Sequence, residues 1–283
     1  MSTSQAQAEW GERLALSRCY WASGRGRALI TAQAACLGPV LEARRDRHAL
    51  ELSMGASLLA HLSAAGPTHA VQWAPALAEA KSEATLVCPP RALALPDECL
   101  DLTLLHHFLE HCPDAHQALA EAARVTRDSG LMVIFGFQPL GLAALAYRLG
   151  KKRRHYPGNG RWYTPGRLRD WLAFVDFEIE GVDYCGFGPG RGGVCHERRE
   201  TLGRRHNVPL GTSYMIRARR RRRQAPVQRL RFGLQPPAAA GPLGITRGQT
   251  APGQRSLRAR RPGEVRAADA GAKTPSQHEE HKR

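Results

Sequence analysis

The sequence has few of the features that mark a secreted, zinc-binding or membrane protein. Its seven cysteines form no C-x-x-C pair, so neither a zinc ribbon nor a disulfide framework is expected, and reduced thiols of a cytosolic protein fit better. The first residues lack the basic-then-apolar pattern of a secretory signal. The longest apolar stretch, 140–149, is interrupted by Arg148 and is far shorter than the ~20 residues that cross a bilayer. We therefore expect a cytoplasmic protein with no membrane partner.

Acidic residues are scarce at the C-terminal end. Residues 217–283 hold seventeen Lys/Arg but only four Asp/Glu, which accounts for most of the net charge of +16. Beyond 219 the chain is rich in Pro, Gly, Ala and Arg and poor in large apolar residues, so it cannot bury enough surface to offset its ordering entropy. A disordered tail, 220–283, is therefore predicted. Arg217–Arg223 and this tail would attract RNA or another polyanion, and a merely solubilising tail is an equal alternative.

The most informative stretch lies between Cys99 and Pro139. It predicts a buried strand at Leu100–Leu105, a polar corner, a helix at Ala115–Arg127 that Asp114 caps, and a second buried strand at Leu131–Phe137. Near-continuous apolar strands on either side of a helix are typical of a parallel sheet that is covered on both faces. The core is therefore predicted to be α/β.

Further elements are predicted on both sides of this unit. Helical spacing of apolar residues predicts helices at 8–17 and 28–43, with Gly24 and Gly26 between them. The other predicted elements are strands at His48–Gly55 (with its turn), His69–Pro75, Thr85–Cys88, Phe177–Tyr184 and Thr212–Arg219, and a helix that begins at Thr164 and ends at Phe174.

The central stretch resembles the type 11 group of class I S-adenosylmethionine-dependent methyltransferases, in particular small, poorly characterised bacterial members. The residues that carry the resemblance are Leu105, His106, His107, Leu109, Glu110, His111, Pro113, Asp114, His116, Gln117, Gly130, Gly136, Phe137 and Pro139. The resemblance covers about residues 40–220 and implies a Rossmann-like sheet of seven strands with helices on both faces, of which the last two strands form an antiparallel hairpin. It divides the chain into N-terminal helices (1–47), a methyltransferase-like domain (48–219) and the tail. The N-terminal helices could form a lid over the cofactor or simply pack on the edge of the sheet.

The resemblance also implies S-adenosylmethionine as cofactor. Glu51, Ser53 and Gly55 fall on the glycine-rich turn that faces the amino-acid end of this cofactor, and Gln72 falls where the family has an acid for the ribose. Of the family's glycines only Gly55 is present, and Pro89 stands where an aspartate reads the adenine. A glutamine offers the ribose one acceptor atom instead of two, and proline offers none.

His106 and His107 are the predicted catalytic residues. They follow a parallel strand, at the edge where open α/β sheets bind ligands, and they titrate near neutral pH. They could orient the methyl acceptor or act as a base, with Phe137 nearby, whereas capping and loop packing are the alternative roles. His107 also begins an H-x-x-E-H pattern known from zinc peptidases, but the run leaves a strand end and precedes Pro113, so a turn is predicted and no metal site.

Two functions follow from these observations. The first is an S-adenosylmethionine-dependent methyltransferase whose methyl acceptor the sequence does not name. The second is a catalytically degenerate member of the fold that acts as a nucleic-acid-binding or scaffold protein through its basic tail. The altered cofactor positions favour the second, whereas the intact polar corner and the Gly-Phe-Gln-Pro turn favour the first, which we prefer.

Overall fold

The computed structural model describes residues 3–44, 46–62, 66–80, 84–141, 144–145, 161–188 and 197–221, with side chains from residue 11 onward. The predicted tail, apart from residues 220 and 221, lies outside the described residues. The helices are α1 (Thr3–Ala22), α2 (Gly24–Glu42), α3 (Ala115–Val125), α4 (Pro165–Phe174) and α5 (Glu197–Arg205). The strands are β1 (His48–Ser53), β2 (His69–Ala74), β3 (Thr85–Val87), β4 (Leu100–His106), β5 (Thr126–Phe137), β6 (Phe177–Cys185) and β7 (Ser213–Arg220). Short 3₁₀ turns occupy Leu59–Leu62 and Leu77–Glu79.

The seven strands form one sheet in the order β3-β2-β1-β4-β5-β7-β6. The first five strands are parallel, and β7 lies antiparallel between β5 and β6. The prediction of a seven-stranded α/β sheet that ends in an antiparallel hairpin is therefore confirmed. The chain reverses its strand order between β1 and β4, and ligands of open α/β sheets bind beyond the carboxyl ends of strands at such a point.

Apolar side chains cover both faces of the sheet. Alternate residues of a strand point to opposite faces, so Leu105 of β4 packs on one side while Leu104 packs on the other. One core contains Leu50, Leu52, Ala118, Leu119, Ile134, Leu168 and Leu172, from the sheet, α3 and α4. The other contains Leu29, Leu37, Leu41, Ala49, Leu102 and Val133, from α2 and the sheet. Trp21 of α1 also belongs to this second core, so both N-terminal helices pack against the sheet.

Several predicted boundaries were wrong. Helix α2 begins at Gly24 rather than at residue 28, so Gly24 and Gly26 lie inside this helix and not between the first two helices. Helix α3 ends at Val125 rather than Arg127. Thr126 already pairs with Leu100 and so begins β5, and the register of the two strands shifts between Leu100 and Leu102. The residue with a left-handed backbone conformation in this segment is Ser129 (φ +62°). Helix α1 also continues to Ala22, well past the predicted end at residue 17. Its last turns therefore bring additional side chains over the sheet.

The arginines of β7 are engaged with carboxylates. Arg217 lies 3.1 Å from Asp183 and Arg220 lies 3.0 Å from Glu98, and Arg219 and Arg221 pair with Glu180 and Glu178 on β6. Cross-strand pairs of this kind neutralise one another in part. Binding of a polyanion through Arg217–Arg223 and the tail stays a prediction.

In the part of the chain that the structure describes, no helix is long and apolar enough to span a membrane. Six cysteines in the same part are free thiols.

Candidate functional site

A small crevice of about 30 Å³ lies beyond the carboxyl ends of β1 and β2. Ser53, Gly55 and Gln72 line it from the sheet, Arg18 lines it from α1, and Glu79 lines it from the second 3₁₀ turn. Three of the four predicted cofactor residues therefore meet at one place. A crevice of this volume holds a few water molecules at most.

Gly55 brings the backbone of the turn against α1. Its φ of +97° is one that residues with a Cβ rarely adopt, and an added Cβ would lie 3.1 Å from the backbone nitrogen and 3.3 Å from the Cα of Arg18. Only glycine allows this approach without strain. The remaining glycine of the predicted turn thus has a structural reason, namely the close packing of α1.

Glu51, the fourth predicted cofactor residue, does not face the crevice. Its side chain is fully buried and accepts hydrogen bonds from the Ser57 hydroxyl (2.6 Å) and from the backbone N–H of Leu58 (2.6 Å). Burial raises the pKa of its carboxyl, and these hydrogen bonds act against the rise. Glu51 holds the turn after β1 in place, so the prediction that it faces the cofactor is not supported by its position here.

Ser57 links this carboxylate to the crevice. Its hydroxyl donates to Glu51 and accepts from the amide nitrogen of Gln72 at 3.0 Å. Ser57 therefore bridges β1 and β2. The Trp73 indole donates to the Cys88 carbonyl (2.9 Å) and its ring packs edge-on against Phe108, so this ring is part of the core.

One face of α1 covers the crevice and the strand ends beside it. Leu14 is buried, the Ser17 hydroxyl donates to the Met54 carbonyl at 2.6 Å, and Arg18 forms an ion pair with Glu79. Trp21 is 4% exposed, one further turn along the helix. Residues spaced three and four apart lie on the same face of a helix, so these side chains fix α1 as a continuous cover.

The predicted catalytic histidines lie beneath this cover and not in the crevice. His106 and His107 are 0% and 1% exposed, and their rings lie 5.0 Å from the Trp21 ring. His107 has a φ of +50° and turns the chain out of β4. Neither imidazole is accessible from outside in this conformation, and the catalytic role of the two histidines stays a prediction.

The two histidines belong to a buried polar network with Gln33 of α2. His106 Nε2 lies 3.0 Å from Gln33 Oε1, and His107 Nε2 lies 2.8 Å from Gln33 Nε2. His107 Nδ1 lies 3.0 Å from Glu110 Oε2, and Glu110 Oε1 accepts from the backbone N–H of Phe137. The network ties α2 to the ends of β4 and β5.

Counting donors and acceptors indicates where a proton resides. Both ring nitrogens of His106 face oxygens, Gln33 Oε1 and the Ala56 carbonyl at 3.2 Å, but a neutral imidazole has a single N–H. Exchanging the amide nitrogen and oxygen of Gln33 removes this conflict and lets His107 Nδ1 accept a proton from Glu110. The Ser213 hydroxyl, 2.9 Å from the same amide atom of Gln33, then donates to Gln33 Oε1 instead of to the Gly136 carbonyl. This arrangement needs a protonated Glu110, and burial raises the pKa of that carboxyl to about 7. Burial also lowers the pKa of His107 to about 3, so both groups favour their neutral forms.

The H-x-x-E-H run forms a turn, as predicted. His111 donates its backbone N–H to the Phe108 carbonyl, and Glu110 points to Phe137 instead of sharing a helix face with the histidines. Among the described residues, no group of three or more His, Cys, Asp or Glu side chains is arranged to hold a metal ion.

Replacing Gly55 by alanine is expected to lower the free energy of unfolding by about 2 kcal/mol, because the positive φ and the contact with α1 both oppose a Cβ. Gly11→Ala is the matched control. Gly11 lies on α1, and an added Cβ at this position meets nothing within 4 Å. Alanine also stabilises a helix by about 0.5–1 kcal/mol relative to glycine. Chemical denaturation of both variants measures the difference. Equal stability of the two would contradict the close packing of α1 on Gly55.

Comparison with known proteins agrees with this topology. Residues 54–134 match the family model described as a methyltransferase domain. A solved S-adenosylmethionine-dependent methyltransferase of Thermotoga maritima, described as a possible histamine N-methyltransferase, superposes with a TM-score of 0.54 at 17% identity, over 71% of this chain and 93% of that one. A second S-adenosylmethionine-dependent methyltransferase, from Archaeoglobus fulgidus, gives a TM-score of 0.50 at 18% identity, over 69% and 94% of the two chains. The fold is that of a class I S-adenosylmethionine-dependent methyltransferase. The predicted resemblance is confirmed.

One curated relative matches part of this chain, but its description names no activity. The uncharacterised protein YafS of Escherichia coli (strain K12) is 39% identical over 90 residues, which are 32% of this chain. The match spans only 38% of the length of YafS. The activity and partners of the whole protein therefore belong to the proposals below.

Two charged residues of the crevice could not be predicted as site residues. Arg18 lies beyond the predicted end of the first helix, and Glu79 lies in a 3₁₀ turn that has no apolar periodicity. The spacing of Leu14, Arg18 and Trp21 on a longer helix was the available signal for Arg18. No comparable signal in the sequence marks Glu79.

Proposed function

We propose that the protein is an S-adenosylmethionine-dependent methyltransferase, whose cofactor site is the crevice between α1 and the carboxyl ends of β1 and β2. The observation that carries the proposal is the convergence of Ser53, Gly55 and Gln72 at this edge. S-adenosylmethionine would supply a methyl group activated on a sulfonium. The turn at Ser53 and Gly55 would bind the amino-acid end, and Gln72 would bind the ribose.

The chemistry of these residues fits the cofactor, but the space does not fit while α1 is docked. Pockets for ligands of this size have volumes of about 300–1,000 Å³, whereas the crevice has about 30 Å³. Since the backbone of α1 itself lies against Gly55, rotation of one side chain cannot make enough room. Cofactor binding therefore requires α1 to shift, and α1, but not α2, would be the lid of the 1–47 segment.

The buried network has a supporting role in this proposal. His106 and His107 hold α2 and the ends of β4 and β5 in register through Gln33 and Glu110. A shift of α1 would lift Trp21 off both imidazoles and bring them nearer to solvent. Only in that state could either histidine orient a methyl acceptor or take the proton that an acceptor hydroxyl or amine releases.

Calorimetric titration of the full chain with S-adenosylhomocysteine and S-adenosylmethionine tests the proposal. We expect saturable binding of both with one site per chain. Absence of binding at millimolar ligand would contradict the methyltransferase proposal. The closure of the crevice favours a second candidate, a catalytically degenerate scaffold, and retention of RNA by the full chain without binding of either ligand would support that candidate instead.

A further inference from the structure

The Arg18–Glu79 ion pair is a charged contact of the crevice that the preceding account leaves without a role. Both side chains line the crevice, Arg18 from α1 and Glu79 from the turn after β2. They are about one-third exposed, at 38% and 26%. An exposed pair of this kind contributes little to stability, so its position in the crevice needs another explanation.

The guanidinium of Arg18 is only partly used. Its Nη2 contacts Glu79, whereas its Nε is buried and has no hydrogen-bond partner among the described residues. An arginine presents Nε and one Nη as a fork that matches the two oxygens of a carboxylate. A buried donor without a partner is costly, and a carboxylate bound across the fork would satisfy both nitrogens.

Glu79 provides the complementary chemistry. Gln72 stands at the position that the resemblance assigns to the ribose, and its amide nitrogen already donates a hydrogen bond to Ser57. Glu79 faces the same crevice and has two oxygens that can accept from neighbouring hydroxyls. The crevice therefore contains one side chain that can bind a carboxylate, Arg18, and one that can bind a diol, Glu79.

We propose that the Arg18–Glu79 ion pair latches α1 over the crevice, and that the two side chains separate on cofactor binding, Arg18 to the cofactor carboxylate and Glu79 to its ribose hydroxyls. This inference rests on the proposed methyltransferase function. Because the Arg18 side chain is long, it can reach back to the cofactor after α1 has shifted. The same residue then closes the empty site and holds the loaded one.

Two ligands separate these roles in the full-length protein. S-adenosylhomocysteine has the amino-acid arm, whereas methylthioadenosine keeps the ribose and lacks the arm. Arg18→Ala should lower the affinity for S-adenosylhomocysteine by about tenfold or more relative to the affinity for methylthioadenosine. Glu79→Gln should lower the affinities for both ligands by the same factor. Arg44→Ala is the control, because Arg44 pairs with Asp46 at 2.9 Å outside the crevice lining, and it should leave the ratio of the two affinities unchanged.

The charge-exchanged variant Arg18→Glu/Glu79→Arg distinguishes a latch alone from cofactor ligands. It keeps an ion pair between α1 and the turn after β2, but S-adenosylhomocysteine binding should remain at least about tenfold weaker than in the wild type. Recovery of S-adenosylhomocysteine binding to the wild-type level would show that the pair is only structural and would overturn this inference. An unchanged affinity ratio in Arg18→Ala would also overturn it, with the proposed function intact. Failure of the wild type to bind either ligand would overturn the proposed function and this inference together.

Discussion

Replacing Glu110 by alanine is expected to lower the free energy of unfolding by about 3 kcal/mol or more, because two buried groups lose their partner. Those groups are His107 Nδ1, at 3.0 Å, and the backbone N–H of Phe137. Glu110 itself is 4% exposed, so water cannot readily replace the carboxyl. The loss is measured by chemical denaturation near pH 5, where the buried carboxyl still holds its proton.

Glu110→Gln is the matched control for this variant. Its carbonyl oxygen can accept from Phe137 and its amide nitrogen can donate to His107, as a protonated carboxyl does. We expect a cost below about 1 kcal/mol, the usual range for a substitution that keeps its hydrogen bonds. A glutamine variant as unstable as the alanine variant would contradict the protonated carboxyl in the network.

The same pair of proteins should show a defined pH dependence. Burial raises the pKa of Glu110 from an ordinary 4.5 to about 7, so between these values the folded state holds a proton that the unfolded state has released. The stabilisation from Glu110 is therefore full below about pH 4.5 and is lost as the pH rises through 7. The stability of the wild type relative to Glu110→Gln should fall between pH 5 and pH 8. His107, whose pKa is shifted downward by burial, is present in both proteins and largely cancels from the difference.

Replacing Trp21 by alanine is the second change with a large expected effect, a loss of about 3–5 kcal/mol in the free energy of unfolding. The indole is 4% exposed, donates to the Ser17 hydroxyl at 3.1 Å and packs against His106, His107 and Phe137. Removing it leaves a cavity where α1 meets the strand ends. Thermal and chemical denaturation both report the loss.

Phe174→Ala is the control for the loss of an aromatic ring without burial. Phe174 is 90% exposed, and its replacement should change stability by no more than about 0.5 kcal/mol. Equal effects of the two substitutions would mean that α1 is not docked on the sheet in solution. A strongly docked α1 has a functional consequence, since the free energy of opening it lowers the apparent affinity for the cofactor.

The sheet could be predicted from the sequence because its strands carry their own signal. The β4 and β5 runs are apolar throughout, and the turn-rich segments between the other strands separate them clearly. The start of β5 was missed because Thr126-Arg127-Asp128-Ser129-Gly130 has the composition of a turn. Pairing of Thr126 with Leu100 prevailed over that local preference.

The candidate site could be predicted only in part. Ser53, Gly55 and Gln72 meet because parallel strands end at the same edge, which the order of elements predicts. The burial of His106 and His107 could not be predicted in the same way, since it depends on α1 and α2 closing over the strand ends. Helix α1 places Arg13 and Arg18 as well as Leu14 toward the protein, so its apolar periodicity is weak and does not indicate which face is covered.

Hydrogen exchange of the full chain with and without S-adenosylhomocysteine tests most directly whether α1 must move for the cofactor to enter. We expect the ligand to change amide exchange in residues 11–22, 53–57 and 72–79 and to leave β6 unchanged. Binding that alters exchange elsewhere but not in residues 11–22 would contradict a cofactor site beneath α1.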